Sequence, residues 1–141
     1  MSDIKVELRD YPLGKKRSEL IFTPGGMNIQ DITFENIERG IIKPDDCRTS
    51  RESLVYQAQL AEQQGNKSIA DNFYRASEMV DIESSKIINI YNSIRPYRST
   101  EAELKDIISD LRNTYNADRT AEFIEEALAV LKLRGKLRGD R

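Results

Sequence analysis

Two adjacent carboxylate pairs, Asp45-Asp46 and Glu125-Glu126, a single cysteine, Cys47, and a corner holding Arg95, Tyr97 and Arg98 are the residues of this chain whose types could do chemistry. Acid–base work needs two carboxylates in contrasting, partly buried environments. Asp45-Asp46 directly follows Pro44, where acids favour a helix N-terminus, and Glu125-Glu126 flanks an apolar stripe and reads as water-facing. The chain has no histidine. That removes Ser-His and Cys-His nucleophile pairs, a histidine general base and His-ligated metals, zinc fingers included. Cys47 therefore has no imidazole to activate it, although a helix terminus or a cation can lower a thiol pKa. The C-terminal cations Lys132, Arg134, Lys136, Arg138 and Arg141 could form a nucleic-acid patch, but no aromatic residue is interleaved for base stacking. Positive charge at a helix C-terminus also complements the macrodipole without any partner. Gly25-Gly26 after Pro24 lacks the Walker spacing and reads as a turn. The expectation is a chain with no catalytic, cofactor-binding or metal-ligating residue of its own.

Composition narrows the class. With 141 residues the chain is expected to form one domain. Its 38% apolar and 33% charged residues, without tryptophan, describe a lean core under a charged surface, suited to a thin helical layer or to a chain that completes its core on a partner. The net charge of −2 exerts no strong pull on nucleic acid or an anionic membrane. No apolar run approaches the ~18 residues of a membrane span, and the N-terminus lacks a signal-peptide core. One cysteine cannot form an internal disulfide. A cytoplasmic protein with no nucleic-acid or membrane partner is expected.

The elements that must position these residues are helical. Residues 1–30 differ from the rest: Ile4, Val6 and Leu8 alternate as an extended segment does, and Pro12, Gly14, Pro24, Gly25 and Gly26 punctuate the chain. Their apolar groups suggest an extended arm along a partner surface; the alternative is that the arm packs back on its own helices. Residues 31–141 read as a helical domain. A short helix over 33–39 ends at Gly40, and Pro44 starts another turn. Thr49 and Glu52 have the form of a capping box opening a helix to about Gln64, with Leu54, Ala58 and Ala61 on one face. Ile69, Phe73, Ala76 and Val80 continue the pattern, as do Ile87, Tyr91 and Ile94. Thr100 and Glu103 form a second capping box, followed by Leu104, Ile107, Ile108, Leu111 and Tyr115. The last helix, over 117–133, buries Ala121, Ile124, Ala127/Leu128 and Leu131. The Lys-Leu-Arg-Gly run at 132–135 recurs at 136–139 and reads as a fraying end. The fold class is all-α, with about five main helices and an extended N-terminal arm.

The corner over residues 91–100 ends one helix at Pro96 and begins the next at Thr100. Arg95 gains from its helix C-terminus, whereas Arg98 precedes a helix N-terminus and calls for a nearby carboxylate, its own or a partner's. This segment, with Arg-Pro-Tyr-Arg-Ser at 95–99, resembles the small subunit of adenosylcobalamin-dependent diol and glycerol dehydratases. Other blocks agree in order: Asp10-Tyr11-Pro12-Leu13, Asp31-Ile32-Thr33, Glu35-Asn36, Asp46, Arg48-Thr49, Gln57-Ala58, Ala61-Glu62, Asn72-Phe73, Arg75-Ala76 and Glu78. The likeness covers residues 10–137.

The resemblance implies a hydro-lyase that converts glycerol or a vicinal diol to an aldehyde and water by a radical mechanism. It implies that adenosylcobalamin, substrate and metal ion belong to the large barrel and medium subunits, in a dimer of heterotrimers. This chain would be inactive alone. The family's apolar residue at position 47 implies that Cys47 acts as a small hydrophobe. The Asp-Tyr-Pro-Leu block arrives after nine residues with no amphipathic helix before it, so no microcompartment-targeting segment is evident, which leans towards a glycerol dehydratase type. Tyr11, Pro12, Leu13, Arg95, Tyr97 and Arg98 are the candidate partner contacts. The competing expectation is a free-standing helical adaptor or regulator.

Overall fold

The computed structural model describes residues 4–140. Met1 to Asp3 of the expected arm, and Arg141 of the C-terminal cations, lie outside the described residues. The fold is all-α, with helices α1 (Leu13–Lys16), α2 (Phe34–Glu38), α3 (Arg51–Gln63), α4 (Lys67–Met79), α5 (Ser84–Ser93), α6 (Glu101–Asn113) and α7 (Asp118–Leu133), and four short 3-10 turns before α4. The five long helices are those expected. Among the described residues none is long and apolar enough to cross a membrane. The chain divides into two compact units, Met1–Val80 and Asp81–Arg141.

In the first unit α3 packs against α4. The residues these helices bury include Ala58, Ala61, Ala70 and Ser77, whose small side chains permit close approach of the two backbones. The expected α4 face is rotated: Ile69 is exposed, and Ala70 and Ser77 are buried instead. The start of α3 also shifts by one residue. Ser50, not Thr49, is the N-cap, and its Oγ accepts the Ser53 N–H. At α2 the expectation holds, with Thr33 as cap and Gly40 at φ 67 closing the C-terminus.

The N-terminal segment finds its apolar partner within its own chain. Val6 and Leu13 are buried with Tyr56 and Leu60 of α3, and Ile4, Leu20 and Ile21 pack around them. Polar contacts set the register. The Val6 N–H donates to Gln59 Oε1 at 2.9 Å, the Leu8 N–H donates to Gln63 Oε1 at 3.0 Å, and Gln63 Nε2 donates to the Val6 carbonyl at 2.6 Å. Two extended residues advance about 6.6 Å and four helical residues about 6 Å, so an i, i+2 pair of backbone groups meets an i, i+4 pair of glutamines. The extended reading holds for Ile4 and Val6, with the edge satisfied by side chains of a helix, but it stops at Leu8, which opens a 3-10 turn over Leu8–Asp10 and is exposed. Further on, Pro24, Gly25 and Gly26 make the expected turn, with Gly26 at φ 86 and the Ile29 N–H donating to the Ile21 carbonyl at 2.9 Å.

In the second unit α6 packs on α7. Leu104, Ile108 and Leu111 of α6 and Ala121, Ile124, Leu128 and Leu131 of α7 are buried, as the periodicity predicts. On α5 the buried residue is Ile90 rather than Tyr91, which lies 6.3 Å from the Phe123 ring. Arg112 spans to α7 with a bidentate pair to Glu125 at 2.9 and 2.8 Å.

Candidate functional site

One residue of each carboxylate pair, Asp46 and Glu125, is engaged structurally. Asp46 accepts the Lys43 N–H at 2.8 Å and the Thr23 hydroxyl at 3.1 Å, so it ties the turn after α2 to the Gly25-Gly26 turn. Glu125 is held by Arg112. Cys47 is exposed at the end of a 3-10 turn, so the small-hydrophobe role that the resemblance implies finds no core around it in the chain by itself. Among the described residues no cluster of three or more Cys, Asp or Glu side chains could hold a metal ion.

Of the six candidate contacts, three lie in the first unit. Leu13 is 3% exposed and belongs to the core with Val6, Tyr56 and Leu60. Tyr11 beside it is 56% exposed, Pro12 is exposed, and the Tyr11–Pro12 peptide bond is cis. Nearby, Ile21, Phe22, Ile29, Ile32, Arg48 and Gln57 line a groove of about 310 Å³. Periodicity did not mark this groove because its apolar wall, Ile21, Phe22, Ile29 and Ile32, lies outside the α-helices.

The other three form a corner in the second unit. Helix α5 ends at Ser93, with Ile94 as its C-cap, and the Arg98 N–H donates to the Arg95 carbonyl at 3.2 Å, closing the turn. Tyr97 sits at φ 63, in the left-handed region that disfavours residues with a bulky side chain. Thr100 then caps α6 with both bonds of the expected box: the Glu103 N–H donates to Thr100 Oγ1 at 3.3 Å, and the Thr100 N–H donates to Glu103 Oε2 at 2.9 Å.

The C-terminal run is not frayed. Helix α7 ends at Leu133 and Gly135, at φ 58, turns the chain back. Leu137 is buried. The Tyr97 N–H donates to the Lys136 carbonyl at 2.7 Å, and the Arg138 N–H donates to the Ser99 carbonyl at 2.8 Å. Lys136 Nζ donates to the Tyr97 hydroxyl at 2.8 Å and lies 5.0 Å from the ring centroid, within cation–π range. Arg138 pairs with Glu103 and donates to the Arg98 carbonyl. The sequence signal for this was the second Lys-Leu-Arg-Gly run, whose leucine falls where a buried contact is needed.

The charges at this corner are unequal. Glu101 is bound by Lys132 at 2.8 Å and Lys105 at 2.9 Å, and these two ammonium groups, Lys132 foremost, pull its carboxyl down to about 2. The Thr100 N–H and then Arg138 hold Glu103 below the usual carboxylate range. Both first-turn acids of α6 are therefore occupied. Arg95 and Arg98 are exposed, and among the described residues neither guanidinium has an ion-pair partner. The arrangement can bind carboxylates from outside the chain.

Glu101 makes the ion pairs pH-sensitive. Its folded pKa lies below the ordinary value, so its contribution is complete above about pH 4.3 and is lost as the pH falls through the folded value of about 2. The thermal midpoint of the chain is expected to drop across that window, and the drop should be smaller in Glu101→Gln. A melting series at fixed ionic strength reads this directly; equal drops in both chains would remove Glu101 from the account.

The model of the family described as "Dehydratase small subunit" matches residues 6–138. The propanediol dehydratase small subunit of Citrobacter freundii is 40% identical over 134 residues, covering 95% of this chain and 78% of that protein. The propanediol dehydratase small subunit of Salmonella typhimurium is 39% identical over the same coverage. A name of this kind implies a hetero-oligomeric complex with other subunits. With the match running from the α3-bound N-terminal segment to the C-terminal run folded on the corner, this chain belongs to the dehydratase small-subunit family.

Proposed function

We propose that this chain is the non-catalytic small subunit of an adenosylcobalamin-dependent dehydratase acting on glycerol or a 1,2-diol, and that it serves assembly of the complex. The observation that carries this reading is its similarity along 95% of its length to small subunits of propanediol dehydratases. The partners are a large barrel subunit and a medium subunit, in a dimer of heterotrimers in the cytoplasm. The chain's residues do not fit a corrinoid. The groove of about 310 Å³ lined by Ile21, Phe22, Ile29 and Ile32 is at the small end for even a drug-sized ligand, and a corrinoid is larger. In this reading adenosylcobalamin is held by the other subunits, and the reaction runs on their residues.

Residues 1–30 then form a docking segment and residues 31–141 the helical part of the chain. Tyr11 and Pro12 contribute from that segment, Arg95, Tyr97 and Arg98 from the corner, and Leu13 backs the segment from beneath. The test is reconstitution. Mixed with its cognate large and medium subunits, the chain is expected to elute with them on gel filtration. Diol turnover with adenosylcobalamin should require the mixture. Turnover by the rigorously pure chain, or elution apart from both subunits, would overturn the proposal and leave a free-standing adaptor.

A further inference from the structure

We propose that residues 136–140 form a clasp that holds the corner in its partner-binding conformation, with Lys136 and Arg138 as positioning residues for Arg98. The inference rests on the reading of the corner as a partner contact. Tyr97 occupies a backbone region that a tyrosine rarely adopts, and such residues persist only where their surroundings over-determine them. Here the surroundings are the C-terminal run. Its backbone receives the Tyr97 N–H at the Lys136 carbonyl, 2.7 Å away, and gives the Arg138 N–H to Ser99 at 2.8 Å. Its side chains hold the Tyr97 ring and hydroxyl through Lys136 and the Arg98 carbonyl through Arg138.

The run is itself fixed in place. Leu137 is buried, and its N–H donates to the Asp140 carboxylate at 2.7 Å. The Lys136 N–H donates to the Leu131 carbonyl at the end of α7, at 2.9 Å. The clasp also sets the charge of the corner. Arg138 occupies Glu103, the carboxylate of the capping box just beyond Arg98, so the Arg98 guanidinium remains available. Arg134, the C-cap of α7 just before the run, is also exposed and without an ion-pair partner among the described residues. The surface that fits is a carboxylate-rich face of a companion subunit.

The experiment compares the full chain, Arg138→Gln, and a chain ending at Gly135, each mixed with the cognate large and medium subunits. Circular dichroism and the thermal midpoint serve as folding controls. The shortened chain is expected to assemble at least about tenfold more weakly, the scale of losing a charge-assisted hydrogen bond with its backbone neighbours. Arg138→Gln keeps Leu137 and the backbone bonds and remains informative if the shortened chain does not fold. It should weaken assembly about two- to fivefold and flatten its salt dependence, because the freed Glu103 competes for Arg98. Amide exchange at Tyr97, slow in the full chain, should become fast in the shortened one. Wild-type affinity and salt dependence in Arg138→Gln would overturn the clasp alone. Failure of the wild-type chain to assemble would overturn the dehydratase reading and the clasp's role with it.

Discussion

Arg98→Ala is expected to weaken assembly with the companion subunits by ~2–5 kcal/mol, the cost of truncating one side of a desolvated charge pair. Arg95→Ala should cost less. Both guanidiniums are exposed and unpaired among the described residues, so the difference comes from the helices. Arg95 follows the end of α5, where a cation gains typically ~0.3–1 kcal/mol from the dipole without any partner. Arg98 stands before Thr100, the N-cap of α6, where the same dipole opposes it. Its counter-charge within the chain is occupied, because Glu103 is bound by the Thr100 N–H and by Arg138. A turn held at Tyr97 and tied to the C-terminal run limits the ordering cost on binding. Titration of the mixed subunits, followed by gel filtration at two salt concentrations, measures the effect. Assembly by Arg98→Ala with the wild-type constant and the wild-type salt dependence would show that the corner is only a turn.

Leu13→Ala should destabilise the isolated chain by ~2–5 kcal/mol, the range for removing a buried leucine and leaving a cavity. Leu13 is 3% exposed, packed with Val6, Tyr56 and Leu60. Tyr11, two residues earlier, is 56% exposed, and Tyr11→Ala should leave the isolated chain within about 0.5 kcal/mol of wild type. The pair separates two ways in which the N-terminal segment can matter. A core role moves the urea midpoint of the chain alone; a contact role moves only assembly. If Leu13→Ala leaves the urea midpoint unchanged while assembly is lost, the leucine works on a partner rather than beneath the segment.

Local rules made much of this protein legible. The Thr100–Glu103 capping box, the Gly40 stop, the Gly25-Gly26 turn and the buried stripes of α6 and α7 follow from spacing alone, because each depends on residues within a turn or two of one another. The family resemblance rested on blocks such as Asp-Tyr-Pro-Leu and Arg-Pro-Tyr-Arg-Ser, and the family match over residues 6–138 bears it out.

Where periodicity misled, two elements competed for the same face. Helix α4 turns Ala70 and Ser77 inward instead of Ile69 because α3 approaches it through alanines. Tyr56 and Leu60 are buried off the face chosen for α3, because a segment some fifty residues earlier in sequence covers them.

The sequence by itself determined an all-helical chain of the dehydratase small-subunit family with a corner rich in arginine. It could do so because helix period, caps and breakers act locally. Only the tertiary structure decided that glutamines of α3 satisfy the extended N-terminal backbone, that Leu13 is core, and that the second Lys-Leu-Arg-Gly run closes on the corner instead of fraying. Those outcomes depend on which distant groups meet. The contacts from Gln63 to Val6 and from Arg138 to Ser99 join residues 57 and 39 positions apart, and no local spacing encodes such a meeting.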